Sequence, residues 1–211
     1  MAVNERLSRL LQVTYDDKRT RQVRDLLATY DLSPWHLYAA RWRTSRQPYH
    51  NYQHCYKVAL TASEGAAAEN VGWTETRLLF LAALYHDHAH TGKGNLPDQV
   101  NIRRAIRGAR FWLAPFNMNL TQQEQERVLW LIAITENSHT TRLREPWEGV
   151  LRDADILGTC GYDADRWRDA LARELGIEVT AASTAKFLAA QHWETSWGRA
   201  EADKYIAEGA S

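Results

Sequence analysis

Glycine and proline are scarce in this chain, 11 and 5 among 211 residues, and long stretches contain neither. Without those turn-forming residues a fold of many tight turns is poorly supplied, and a mostly helical fold is the expectation. Cysteine is rarer still. Cys55 and Cys160 are too few for a disulfide framework or a zinc knuckle, so both read as free thiols in a reducing compartment. No window approaches 18 consecutive apolar residues, which excludes an apolar membrane span. The opening MAVNERLSRLLQ lacks an apolar signal-peptide core, and the cytoplasm is the expected location. An excess of either charge is also missing: 26 basic and 26 acidic side chains leave a formal net charge of zero. A generic nucleic-acid binder would carry a basic surplus, so that class is set aside.

What remains is ordinary for a globular domain, with 45% hydrophobic residues and a length sufficient for one sizeable core. One domain over 1–211 is expected, with a motif core at 49–157 and a C-terminal helical extension at 163–207. The apolar spacing predicts helices at 4–12, 19–31, from Ser33-Pro34 through Trp42, and at 50–70. Another starts near Thr74 and runs to Tyr85 or His90, and a loop at 91–97 leads to a helix at 98–114. Thr121 with Glu124 forms a capping box for a helix reaching about Asn137. Pro146-Trp147 opens the next segment, Asp163 caps a helix that Gly176 ends, and a last helix covers roughly 180–207. The nine tryptophans are spread through the chain, mainly as packing anchors.

The histidines are not spread evenly. Six of the eight lie between 50 and 139, and three fall within five residues at His86, His88 and His90. His50 and His54 are four apart, so on a helix they rise from one face. Asp87 follows His86 at the end of the apolar run LLFLAALY, where an unpaired carboxylate is costly to bury. Asp155 lies in DADIL, again beside apolar neighbours. A divalent cation would resolve both burials together. The mixed nitrogen and oxygen set suits Mn, Mg, Co, Fe, Ni or Zn, as one ion or two.

This ordered set, His then His-Asp then a distant Asp, resembles the signature of the HD-domain superfamily of metal-dependent phosphohydrolases. The resemblance implies an all-α, phosphodiesterase-like helical bundle, with His54, His86, Asp87 and Asp155 as metal ligands. A finer layer is similar to class I cyclic-nucleotide phosphodiesterases: YHNYQH at 49–54, LYHDHAHTG at 84–92 and ITENSH at 134–139. By that resemblance His50 is the proton donor to the leaving oxygen, His90 lies close to the bridging hydroxide, and His139 belongs to the pocket. The chain is shorter than a full domain of that family. No residue stands out as its base-pinning glutamine, although Gln191 falls in the right region.

The expected activity is metal-dependent hydrolysis of a nucleotide phosphomonoester or phosphodiester by attack of water activated on the metal. Asp87 can bridge to a second cation, and His50 or His90 acts as acid or base. Lys93, Arg103 and Arg107 are candidates for phosphate contact, with Asn101 as a polar contact for the sugar or the metal's surroundings. A deoxynucleoside triphosphate triphosphohydrolase is an alternative, since the Arg103–Arg107 face would supply cations for more phosphates. A nucleotide-binding regulatory protein with a degenerate core is another. A third is a diiron oxygenase on the same scaffold, with His90 and His139 as extra ligands. The partner is a small nucleotide, with neither nucleic acid nor membrane involved, and self-association into a homo-oligomer stays open.

Overall fold

The computed structural model describes residues 17–42, 47–92, 96–116, 119–136, 141–161 and 163–209. The expected helix at 4–12, Lys93 and His139 lie outside them. Among the described residues the regular structure is helical, with no β-strand, and no helix is long and apolar enough to cross a membrane. We number the α-helices α1 Lys18–Thr29, α2 Trp35–Trp42, α3 Tyr52–Ala68, α4 Trp73–Tyr85, α5 Asp98–Phe116, α6 Gln122–Ala133, α7 Gly149–Ile156, α8 Ala164–Leu175, α9 Ala181–Ala189 and α10 Ser196–Gly209.

Helix α4 is the axis of the fold. From Leu78 to Tyr85 every residue is buried, as expected for a helix apolar on all sides. Helices α3 and α6 pack along it, α7 closes over α3, and α5 lies against α6. This arrangement brings the N-terminus of α3, the C-terminus of α4 and the C-terminal half of α7 to one end of the bundle.

Several helix ends differ from the sequence expectation, and each difference has a local cause. Helix α4 stops at Tyr85 instead of continuing to His90. His88 N–H bonds to Tyr85 O at 2.9 Å, His90 N–H bonds to Asp87 O at 3.0 Å, and Ala89 adopts a left-handed φ of 63°. A non-glycine residue in that region costs roughly 1–3 kcal/mol and tends to occur at functional sites. The turn separates His86 from His90, which no longer share a helical face. His88 is buried against Gly108, where an added Cβ would come within 2.2 Å of its Nδ1. Helix α3 starts at Tyr52, because the Asn51 side chain accepts the Gln53 N–H at 2.9 Å and caps it. His50 therefore precedes the helix that carries His54.

The Thr121–Glu124 capping box and the left-handed Gly176 stop both form as read. Asp163 stands at the N-cap of α8 but makes no cap bond. Its carboxylate instead takes Arg19 at 2.6 Å, Trp167 Nε1 at 2.9 Å and Lys57 at 3.4 Å, tying α1, α3 and α8 together. The expected last helix is two, α9 and α10, the first opened by a Thr180–Ser183 capping box. Between them, buried Asp153 accepts the N–H groups of Glu194 and Thr195 at 3.1 and 2.9 Å and the Thr195 hydroxyl at 2.7 Å. A buried carboxylate must find donors, and it obtains them by interrupting the helix. Both cysteines are buried and unbridged. Burial pushes their thiols up, Cys55 to about 12 and Cys160 to about 11, so neither is a ready nucleophile.

Candidate metal centre

Four side chains from two helices and the turn after α4 converge at the end of the bundle. His54 Nε2 lies 3.1 Å from Asp155 Oδ1 and 3.4 Å from Asp87 Oδ2. His86 Nε2 lies 3.3 Å from each of those oxygens and 3.3 Å from His54 Nε2. Helix α3 supplies His54, α7 supplies Asp155, and the end of α4 supplies His86 and Asp87. A cation with bonds of about 2.0–2.2 Å leaves neighbouring ligand atoms about 3.0–3.5 Å apart, so the separations fit. His86 Nδ1 faces Ala83 O at 2.8 Å, which places the ring proton on that side and leaves Nε2 bare. That is the tautomer a metal needs. Asp87 Oδ2 is sealed from solvent and makes no hydrogen bond among the described residues. Lone pairs on two imidazoles and two carboxylates facing one another repel unless a positive charge sits among them.

The charge balance supports the same conclusion. Burial opposes a charge on Asp87 and Asp155, but His86 foremost among the neighbouring imidazoles outweighs it and holds both carboxyls below the ordinary range. Burial likewise opposes a proton on His86, yet Asp87 and Asp155 raise its basicity well above normal. The centre demands positive charge, as a proton on His86 or as a metal ion.

A second cluster stands beside the first and comprises His50, His90 and Glu174. The His50 and His90 rings stack, with centroids 4.0 Å apart and planes at 17°. Glu174 Oε2 accepts the backbone N–H groups of Tyr49 and His50 at 2.9 and 3.1 Å, and its Oε1 meets His50 Nδ1. Burial opposes the charge on Glu174, but these bonds hold its carboxyl down at about 2. Burial also opposes a proton on His50, and Asp87 and Glu174 together raise its basicity nonetheless. His90 differs: burial dominates and lowers it to about 4, and its Nδ1 accepts the Gly92 N–H at 3.0 Å. The stack therefore pairs a more basic imidazole with a less basic one. Sequence reasoning missed Glu174. It lies 124 residues from His50 in a helix with no motif, and the acidic side chain's burial was the one signal, visible only after folding.

Both clusters open into a cavity of about 550 Å3. His86, Asp87, Asp155, His50, His90 and Tyr49 form its floor. Apolar side chains line it as well, including Ile102, Ile156, Leu171, Leu96, Ile177 and Phe187. The last three are 39%, 60% and 50% exposed, an unusual outlay of apolar surface at a rim. Asn101 lines the wall too, buried on α5, with its Oδ1 accepting the Thr91 hydroxyl at 3.0 Å. Arg103 and Arg107 do not reach the cavity. They lie on the exposed face of α5, opposite the buried positions 101, 105 and 109. Gln191 is likewise not among the cavity's walls, its side-chain amide bonding back to Phe187 O at 3.0 Å. The one lining guanidinium among the described residues belongs to Arg152. It is committed to Ile134 O and Glu194 at 2.7 Å each and to Thr141 O. Arg152 thus ties Ile134 and Thr141 to Glu194 and was also unmarked in the sequence.

Gly158 explains how His54 is held in place. A Cβ there would lie 2.7 Å from His54 Cε1 and 2.8 Å from Tyr49 Oη, and His54 is buried with no room to yield. Gly158→Ala is expected to weaken metal binding about 10- to 100-fold, the range for disturbing a ligand's support, with helix content retained. Competition against a chromophoric chelator measures it, and unchanged affinity would contradict the packing argument.

No protein-family model and no functionally curated protein matches this sequence. Solved structures do. The phosphodiesterase domain of the RhoPDE fusion protein from the choanoflagellate Salpingoeca rosetta is 16% identical with a TM-score of 0.65, over 92% of this chain and 88% of that one. LmjPDEB1, solved in complex with IBMX, is 16% identical with a TM-score of 0.57, over 95% of this chain and 90% of that one. At this identity the likeness shows the fold: an all-α, phosphodiesterase-like helical bundle carrying two His/carboxylate clusters that can hold a metal. This chain spans most of both structures.

Proposed function

We propose that this protein is a metal-dependent phosphohydrolase that cleaves a nucleotide phosphodiester, and less readily a monoester. The observation that carries the reading is the convergence of His54, His86, Asp87 and Asp155 at 3.1–3.4 Å beside the His50–Glu174 pair. His54, His86, Asp87 and Asp155 would hold the cation. A divalent metal ion supplies a Lewis acid for the phosphoryl oxygens and lowers the pKa of bound water toward neutrality.

The chain's own residues supply the rest. Glu174 occupies His50 Nδ1, so the transferable proton sits on Nε2 at the cavity floor. From there it passes to the leaving oxygen as the phosphorus–oxygen bond breaks and the water oxygen joins phosphorus. His90 keeps its proton on Nε2, because Nδ1 accepts from Gly92, and can donate a hydrogen bond without carrying charge. The apolar rim of Leu96, Ile177 and Phe187 receives the base, and Phe187 offers a face on which it can stack.

Charge favours a diester over a triphosphate. The cavity walls hold Asp87, Asp98, Asp155 and Glu178 against the single, already engaged Arg152. A monoanionic diester suits such walls far better than a tetraanionic triphosphate chain, which needs converging cations. The test is mass-spectrometric product analysis of the metal-loaded protein with cyclic and linear diesters, monophosphates and triphosphates, using Mn, Mg and Co separately. Metal-dependent loss of a diester is expected. Turnover of triphosphates alone, or none at all by protein with bound metal, would sink the proposal.

A further inference from the structure

A second cavity of about 490 Å3 lies behind the segment that carries His50. Its volume falls within the range of small-ligand sites. Arg41, Arg166 and Arg173 line it together with the rings of Trp42, Tyr52 and Trp167, and no carboxylate does among the described residues. Arg41 lies over the Tyr52 ring at 4.6 Å from its centroid, and Arg166 lies 5.8 Å from that of Trp167. Such stacking fixes where guanidinium groups lie, and Arg173 is held by its Nε donating to Asp169 O at 3.3 Å. A concave wall with three cations and no anion focuses a positive potential and draws a multiply charged anion. Trp42 packs against the Tyr38 ring at 5.1 Å between centroids yet is 58% exposed, leaving ring surface that a planar partner would cover. This site is separate from the first. Pro48 and Asn51 line the second cavity, while Tyr49 and His50 between them line the first.

We propose that this cavity binds a nucleoside monophosphate, with the phosphate among the three arginines and the base against Trp42. Phosphate alone would use the arginines and leave the indole idle, and an uncharged aromatic would do the reverse. A nucleoside monophosphate satisfies both. It is also the product class of the proposed hydrolysis, although binding here requires neither metal nor turnover.

Isothermal titration of the full chain with AMP tests the proposal, once metal-loaded and once in excess chelator. One class of AMP site is expected to persist in chelator, where metal-dependent chemistry is silent, so the result does not depend on the hydrolase reading. Arg166→Ala with Arg173→Ala is expected to weaken that site at least tenfold. Both residues are exposed on α8, so the fold should be kept, as checked by circular dichroism. Trp42→Ala is expected to weaken AMP at least fivefold and leave inorganic phosphate unchanged. Loss of all AMP binding on chelation would overturn the proposal, as would indifference to the arginine pair. Equal affinity for phosphate and AMP, or capture of an acidic peptide in preference to AMP, would overturn it too.

Discussion

Asp155→Asn is expected to abolish metal-dependent turnover, by roughly a thousandfold or more, with the helical fold intact. Asparagine keeps the shape and one oxygen but removes the charge that helps bind the cation. That charge sits 3.1 Å from His54 and 3.3 Å from His86. Lewis-acid stabilisation is worth several kcal/mol, and each 1.36 kcal/mol is tenfold in rate. Asp87→Asn should do the same, because its Oδ2 is the sealed oxygen with no hydrogen bond to fall back on. Metal content per chain, measured after dialysis, should fall in parallel. Full activity in either variant would mean that the convergence is an ion-pair network and not a metal centre.

Glu174→Gln is the second large effect, and it separates proton delivery from metal binding. Glutamine can still accept from the backbone of Tyr49 and His50 but no longer supports a proton on His50. General-acid assistance contributes about 100- to 10,000-fold, so kcat should fall by that order while KM and metal content stay near their original values. The pH profile carries a sign. His50 must be protonated to act, so activity is lost as pH rises through its pKa. Glu174 raises that pKa, and removing a negative charge favours the neutral ring whatever cation sits beyond it. The alkaline limb should therefore move to lower pH. A nitrophenyl diester, whose leaving group needs no proton, should be hydrolysed almost normally. An equal loss on both substrates would assign Glu174 a merely structural part.

These two variants mark how much of the site was legible. The convergence of His54, His86, Asp87 and Asp155 was readable because a buried His-Asp pair in LLFLAALYHD and a buried Asp in DADIL have few stable explanations. The position of His90 was not readable from spacing. Four residues after His86 implies one helical face, but the left-handed turn at Ala89 sends the ring to stack on His50. The arginines were misplaced for a related reason. Arg103 and Arg107 share a face, and only packing reveals that α5 turns that face to solvent. The split between α9 and α10 rests on Asp153, whose donors lie about forty residues further along the chain.

The sequence by itself determined the helical class, the capping of α6, the stop of α8 at Gly176 and the kinds of atoms gathered for a cation. Those properties follow from periodicity, local hydrogen bonding and the cost of burying a charge, all set within a few residues. The tertiary structure alone decided that Glu174 orients His50, that the cavity walls are acidic and apolar, and that a second, arginine-lined cavity lies behind the first. Those depend on which surfaces meet across a hundred residues or more, and side-chain packing, not spacing along the chain, selects them.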